Sequence, residues 1–161
     1  MKIKPLNPET FDDGEIVTWS DRYATGIQKI DDQHRHLVIL TNNLYRACLQ
    51  DSAEAEAKFK ECMRLMVEYV RFHFTDELII LERVKFPGFQ DHKKQHETLV
   101  KDVLEAAKEY NEGLKYVPNS FVRTLKEWVF SHIAISDKVY SAYIMKQKEK
   151  GLLSDKDIEG I

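Results

Sequence analysis

The chain has 161 residues, which predicts a single domain that buries about two-thirds of the surface its unfolded chain exposes. Six glycines and four prolines are about half the usual share, which excludes collagen-like and linker-dominated chains and favours helices. The net charge of −3 lacks the basic surplus of a nucleic-acid or anionic-membrane binder, so we expect neither partner.

The number of cysteines and the length of the apolar runs exclude further classes of protein. Only two cysteines occur, Cys48 and Cys62, which argues against a secreted scaffold held by disulfides. No apolar run approaches the roughly 20 residues of a membrane span, and the N-terminus lacks the apolar stretch of a signal peptide. We therefore expect a soluble cytoplasmic protein.

In chain order, residues 1–16 resemble an extended arm, and residues 17–30 are expected to pack over one end of the domain. Apolar residues at intervals of three and four then predict four helices, over residues 31–50, 53–86, 90–112 and 119–150. The expected N-caps are Asp31 or Asp32, Asp51, and Asn119 or Ser120, and the expected stops are Pro87-Gly88, Gly113 and Gly151.

Short connections between long helices predict antiparallel neighbours. We therefore expect an all-α, up-down-up-down antiparallel four-helix bundle with an N-terminal arm. The expected division is an arm at 1–16, a bundle at 17–150 and a C-terminal tail at 151–161.

Polar residues interrupt the apolar stripe of every helix. The set consists of His34, His73, Glu77, His92, His96, His132 and Asp137. A single histidine in a core is usually structural, but five histidines and two carboxylates on core-facing stripes each need a buried partner, which a shared metal site would supply. His36 is about 200° round the helix from His34, so we expect it in solvent. The predicted stripe of the fourth helix is Phe121, Leu125, Trp128, His132, Ile135, Val139 and Tyr143.

The spacing supports convergence for most of this set. His73 and Glu77 are four residues apart and share a helix face, as do His92 and His96. His132 and Asp137 are five apart, about 140° round a regular helix. They converge only through a long metal-bridging arrangement or a local π-bulge that turns Asp137 inward.

The donor set indicates two metal ions rather than one. It contains no cysteine, which argues against a structural zinc or an iron–sulfur cluster. Imidazole with carboxylate suits iron, although zinc and copper could compete. If two carboxylates and a solvent-derived oxygen bridge, eleven of the twelve positions of two six-coordinate irons are filled. The open position is a site for dioxygen.

The chain closely resembles the hemerythrin family, within it the single-domain bacteriohemerythrins, over about residues 17–148. The resemblance rests on IDDQH at 30–34, HFTDE at 73–77, FPG at 86–88, HKKQH at 92–96 and WVFSHI at 128–133, followed by Asp137. It implies two non-heme irons that bind dioxygen reversibly. It assigns His92, His96 and His132 to one iron, His34 and His73 to the other, and Glu77, Asp137 and a solvent oxygen to the bridges.

The sequence departs from the family pattern near the expected oxygen pocket. Leu78, Ile80 and Leu81 stand where the family commonly has Glu, Leu and Met, and Val129 replaces the usual leucine. We expect Trp128, Val129, Leu78 and Leu81 to line this pocket.

Reversible dioxygen binding for storage, delivery or buffering is the leading interpretation, and we do not expect an enzyme. One alternative is a di-iron oxidase or peroxidase, although ferritin-like enzymes of that kind use more carboxylates. The other is an oxygen or redox sensor that acts on a separate partner, since residues 149–161 are too short for an output domain.

Overall fold

A computed structural model describes residues 15–114 and 117–158 of the chain. Over these residues it is entirely helical apart from turns, and the predicted four-helix bundle is confirmed. The elements are a 3₁₀ turn at Asp21–Tyr23, α1 at Gln28–Cys48, α2 at Ala53–Arg83, α3 at Phe89–Asn111, α4 at Val117–Trp128, a π segment at Val129–Ser136, α5 at Asp137–Glu149 and α6 at Asp155–Ile158. α4, the π segment and α5 follow without a break and form the fourth rod of the bundle.

The first helix begins three residues before the predicted cap. Its carboxylate candidate, Asp31, instead holds the preceding turn, because its oxygens accept from Thr25 N at 2.6 Å, from Thr25 Oγ1 at 2.8 Å and from Gly26 N at 3.1 Å. Asp32 binds Gln28 and Arg35 on the helix surface. The prediction of either aspartate as N-cap was wrong, since both lie inside α1.

Two other helix starts also differ from the prediction. Ser52, rather than Asp51, caps α2, and its side chain accepts from Ala55 N at 3.1 Å. α4 begins at Val117, so Asn119 and Ser120 lie within its first turn instead of capping it. Pro118 fits that first turn because a proline there forfeits no helical hydrogen bond.

Helix ends followed the glycine signals more closely. Gly113 and Gly151 adopt positive φ angles of 88° and 68° just beyond α3 and α5, as C-terminal glycines do. α2 stops at Arg83, three residues before the predicted end, because Lys85 takes a positive φ of 52° ahead of Pro87.

The core consists of two separate apolar clusters. The large cluster includes Leu37, Leu44, Met66, Phe74, Leu99, Leu125 and Val129. The small cluster comprises Ile27, Ile30, Ile80, Leu81, Val84, Phe86, Tyr140, Ile144 and Ile158. In every rod the polar set lies in the chain between members of the two clusters, so it forms a layer across the bundle.

The segment before α1 lies along the bundle rather than over one end, which corrects the prediction. Val17 and Tyr23 pack in the large cluster, whereas Ile27 packs in the small one. The Asn42 side chain fixes its beginning, accepting from Val17 N at 3.1 Å and donating to Val17 O at 2.8 Å. The segment thus spans the polar layer.

Most of the predicted arm, residues 1–14, lies outside the described residues. At the other terminus, α6 packs against α2 and buries Ile158 in the small cluster. Within residues 15–114 and 117–158, no helix is both long and apolar enough to cross a membrane.

Candidate metal centre

The polar layer contains five imidazoles and two carboxylates from all four rods. Each of the seven residues is at most 3% exposed, and His34, His73, Glu77 and Asp137 are 0% exposed. Burial of so many polar groups in one layer is costly unless each finds a partner.

The π segment brings Asp137 into this layer. The Asp137 backbone N–H donates to His132 O, five residues back, which is the hydrogen bond of a π-helix. As a result, Asp137 Oδ1 lies 3.1 Å from His132 Nε2. Of the two arrangements that the five-residue spacing allowed, the structure therefore contains the local π-bulge.

The π segment also changes which residues of the fourth rod face the core, so part of the apolar stripe predicted for the fourth helix was wrong. Ile135 and Val139 are 64% and 59% exposed, although a regular helix would place them in the core. Ile133, Tyr140 and Ile144 are buried instead. The extra residue in the π segment rotates everything beyond it.

Six of the seven groups, the five histidines and Glu77, divide into two subsites that share Glu77. Donor atoms of Glu77, His92, His96 and His132 lie within 4.8 Å of one another, and so do those of His34, His73 and Glu77. Glu77 Oε2 is 3.1 Å from His92 Nε2 and 3.0 Å from His96 Nε2.

Asp137 lies next to histidines of both subsites. Its Oδ2 lies 3.3 Å from His34 Nε2, and its Oδ1 lies 3.1 Å from His132 Nε2. The two carboxylates are therefore placed so that each could contact ions in both subsites.

The unsatisfied atoms of the layer test whether a metal pair fits. The buried atoms without a hydrogen-bond partner among the described residues include both ring nitrogens of His34, His73 Nε2 and both oxygens of Asp137. The Nε2 atoms of His96 and His132 face each other at 2.9 Å, and only one of two neutral rings can donate in such a contact. Lone pairs that converge without donors suit cations, so the residues fit a metal pair.

Comparison with known proteins agrees with this geometry. The profile of the hemerythrin HHE cation binding domain matches residues 25–144. A bacteriohemerythrin of Pseudomonas aeruginosa is 31% identical over 124 residues, covering 77% of this chain and 78% of that protein. The chain belongs to the hemerythrin family.

Other members of the family show similar coverage. A bacteriohemerythrin of Stenotrophomonas maltophilia is 29% identical over 78% of this chain and 80% of that protein. A hemerythrin-like protein of Naegleria gruberi is 25% identical over 78% of this chain and 92% of that protein. The crystal structure of a wild-type hemerythrin shares the fold, with a TM-score of 0.73 at 23% identity over 79% of this chain and 96% of that one.

Among the described residues of this hemerythrin-family chain, three outside the predicted set hydrogen-bond to the polar layer. Gln33 Oε1 accepts from His73 Nδ1 at 2.9 Å, and Gln95 Oε1 lies 3.0 Å from His132 Nδ1. The Tyr140 hydroxyl donates to Glu77 Oε1 at 2.5 Å. The available signal was adjacency, since Gln33 and Gln95 each precede a histidine of the set.

Burial favours the neutral form of His34, His73, His96 and His132 in the metal-free layer. Burial, reinforced by neighbouring histidines, lowers the pKa of His34 to about 3 and that of His132 to about 2. Burial also lowers the pKa of His73 to about 4 and lowers the pKa of His96. Neutral imidazole is the form that binds metal.

The two carboxylates shift in opposite directions. Burial opposes ionisation of Glu77, but hydrogen bonds from His92 and His96 hold its pKa well below the usual range. Burial and the negative charge of Glu77 raise the pKa of Asp137 well above its usual range. A cation in the layer would remove the cause of the second shift.

The residues predicted to line the oxygen pocket lie in three different surroundings. Trp128 stacks on His132 with ring centroids 4.4 Å apart, and Val129 is buried in the large cluster. Leu81 belongs to the small cluster, and Leu78 lines a surface groove between α2 and α3. His36 is outside the layer, as predicted, but it is half-buried and stacks on Tyr69 at 4.3 Å.

Proposed function

We propose that this chain holds two iron ions in the polar layer and binds dioxygen reversibly. His92, His96 and His132 would hold one ion, His34 and His73 the other, and Glu77 and Asp137 would contact both. When bound, the iron pair supplies an open coordination position and the electrons needed for reversible binding of dioxygen.

One observation carries the proposal: donor atoms of five imidazoles and Glu77 converge in two subsites that share Glu77, and Asp137 lies within 3.3 Å of a histidine in each subsite. The set contains no cysteine, and imidazole with carboxylate suits iron. Membership of the hemerythrin family supports the same metal and the same ligand.

The chain's own residues prepare the layer for this role. Complete burial of His34 and His73 excludes bulk water from the subsite expected to keep the open position. The Tyr140 hydroxyl binds one oxygen of Glu77 and leaves Oε2 facing His92 and His96. The apolar clusters on either side limit access by water and protons.

Anaerobic reconstitution tests the proposal. Metal-free protein is loaded with ferrous iron, its metal content is measured, and spectra are recorded as dioxygen is added and removed. We expect about two irons per chain and a spectral change that reverses on deoxygenation. A single tightly bound zinc, or oxidation that cannot be reversed from the first exposure, would refute it.

Variants of the carboxylates test the shared position of Glu77 and Asp137. Glu77→Ala or Asp137→Ala removes a group that both subsites use, so both irons should become labile to a chelator together. His36→Ala is the matched control, because His36 lies outside both subsites. Equal loss of iron from the His36 variant would contradict the assignment.

A further inference from the structure

A second candidate site lies on the surface between α2 and α3. The groove has a volume of about 880 Å³, within the range of small-molecule sites. Its lining on α3 extends from Lys93 to Lys108, about 22 Å along the helix axis. A groove of this length suits an elongated molecule.

The floor of the groove is apolar. It is formed by Phe74 and Leu78 from α2 and by Val100 and Leu104 from α3. Leu104 is 41% exposed, whereas Phe74 is buried. A hydrocarbon chain along this floor would cover apolar surface that now faces water, which is favourable.

The rim of the groove is basic although the whole chain is acidic. Four cations line it, Arg71, Lys93, Lys101 and Lys108, against Glu97 and Glu105. Lys93 approaches Glu97 only to 3.9 Å, and Lys108 approaches Glu112 to the same distance. Within residues 15–114 and 117–158, neither Arg71 nor Lys101 has a carboxylate within 4.0 Å. The rim thus complements an anion.

The wall of the groove contains an unsatisfied polar atom. His96 lines the groove while its Nε2 faces Glu77, and its Nδ1 has no partner among the described residues. A histidine whose Nε2 faces a metal normally donates Nδ1–H to an acceptor, as His73 does to Gln33. In this chain the His96 Nδ1 atom is buried, so it does not contribute to the charged rim.

We propose that the α2/α3 groove binds a free long-chain carboxylate. Its chain lies over Phe74, Val100 and Leu104, and its headgroup is held by Arg71 and Lys101 from the two walls. The site is separate from dioxygen binding and does not depend on it, although His96 belongs to both surroundings.

Isothermal titration calorimetry on the purified full chain tests the proposal, with dodecanoate kept below its micelle concentration. We expect saturable binding of one molecule per chain, and at least about tenfold weaker binding of dodecyltrimethylammonium, which has the same tail and the opposite charge. Equal binding of the two amphiphiles, or no saturable binding, would overturn it.

Exposed variants locate the site without disturbing the core. Arg71→Gln and Lys101→Gln should each weaken dodecanoate binding about fivefold, and Leu104→Glu should abolish it. The controls are Lys60→Gln, a cation on α2 paired with Glu56 outside the groove, and Met145→Glu, an exposed apolar residue on α5. Unchanged binding in the groove variants, or equal losses in the controls, would refute the location.

Vesicles distinguish a free carboxylate from a lipid surface. Vesicles of anionic phospholipid should not co-sediment the protein at physiological ionic strength, since the net charge of the chain is −3. Co-sedimentation that is lost in Arg71→Gln and Lys101→Gln would show that the rim binds a membrane instead, and would overturn the proposal.

Discussion

Gln33 has a neutral side chain that orients a buried histidine. It accepts from His73 Nδ1 at 2.9 Å, and its Nε2 donates to Asp76 Oδ2 at 2.7 Å. Asp76 in turn pairs with Lys29 Nζ at 2.8 Å near the surface. Because Asp76 can only accept from the amide, the chain of contacts places the proton of His73 on Nδ1 and the lone pair of Nε2 toward the centre.

Replacing Gln33 by leucine should therefore weaken metal binding without removing a ligand. The Nδ1–H of His73 would lose its acceptor, and loss of such outer partners typically costs about 10- to 100-fold in metal affinity. The measurement is iron retention against a graded chelator, together with the tautomer of His73 by ¹⁵N NMR in the metal-free protein.

Gln28→Leu provides the control, since Gln28 is an exposed glutamine on the same helix that binds Asp32. It should retain iron like the parent chain. Unchanged retention in Gln33→Leu, with Nδ1 still protonated, would show that packing alone orients His73.

Val129 offers a second test at the scale of one residue. It is 2% exposed and lies three residues before His132, so it packs beside the layer. Valine is one methylene smaller than the leucine common in the family, a loss of packing worth about 1 kcal/mol. A looser wall admits water more easily, so Val129→Leu should slow oxidation of the oxygenated iron-loaded protein.

The rate of oxidation at fixed pH and oxygen concentration measures this effect. Val122→Leu is the matched control, because Val122 is equally buried in the same cluster about two turns earlier. A rate that is unchanged or faster in Val129→Leu would place the barrier to oxidation elsewhere.

At the scale of single residues, the sequence was most informative for polar and charged side chains that are costly to bury. Histidines and carboxylates on apolar stripes identified the polar layer, because such groups have few reasons to be buried. Gln33 and Gln95 carried no comparable signal. A glutamine next to a histidine is about 100° round the helix from it, and its contact depends on the neighbouring rod.

Among the elements, the π segment is the one on which the layer depends. Its backbone bond from Asp137 N to His132 O accommodates one residue more than an α-helical turn. Ile135, which lies within it, is 64% exposed and packs in neither cluster. The segment therefore behaves as a one-residue insertion that leaves both flanking helices in their packing positions.

Deleting Ile135 should be tolerated for this reason. The aspartate would then follow His132 by four residues in a regular helix, which also shares a face, and the flanks would keep their contacts. Circular dichroism and iron content should resemble those of the parent chain.

Deletion of Val139 is the control. Like Ile135, Val139 is aliphatic and exposed, at 59%, but it lies inside α5. Its loss rotates Tyr140 and Ile144 by about 100° away from the small cluster, and the chain should be strongly destabilised. Equal behaviour of the two deletions would show that the π segment is not an insertion of this kind.

Prediction of the elements succeeded where local signals act alone and failed where tertiary contacts decide. Glycines at positive φ ended α3 and α5 as expected, since few other residues adopt that conformation. Aspartate is a residue type typical of N-caps, but the Asp31 carboxylate instead accepts hydrogen bonds from the backbone N–H groups of Thr25 and Gly26. The exposure of Ile135 and Val139 could not be predicted from their spacing, because the π segment changes which residues of the fourth rod face the core.

For the whole molecule, the polar layer separates two apolar clusters that could each hold the rods together. The large cluster joins the C-terminal part of α1 to α4, and the small cluster joins Ile30 to Tyr140 and α6. The fold can therefore persist without metal, while the layer between the clusters remains its least satisfied region. Acid should act on that layer first.

Metal-free protein should accordingly lose stability as the pH falls below about 6.5, the pKa of unfolded histidine. The pKa values of His34, His73 and His132 in the folded chain are about 3, 4 and 2, so between about pH 6.5 and 4 the unfolded chain binds more protons. The raised pKa of Asp137 acts in the opposite direction by one proton. A net uptake of at least two protons gives a slope approaching about 3 kcal/mol per pH unit.

Urea unfolding of the metal-free chain between pH 7.5 and 5 measures that slope. His132→Gln removes one of the titrating groups and should lower the slope by about 1.4 kcal/mol per pH unit, whereas His36→Gln, at a half-buried position outside the layer, should change it less. Iron-loaded protein should resist acid until protons compete for the imidazoles, and should then release iron and stability together. Stability of the metal-free chain that does not vary with pH over this range would mean that the buried histidines become charged without unfolding, and that the layer is open to water.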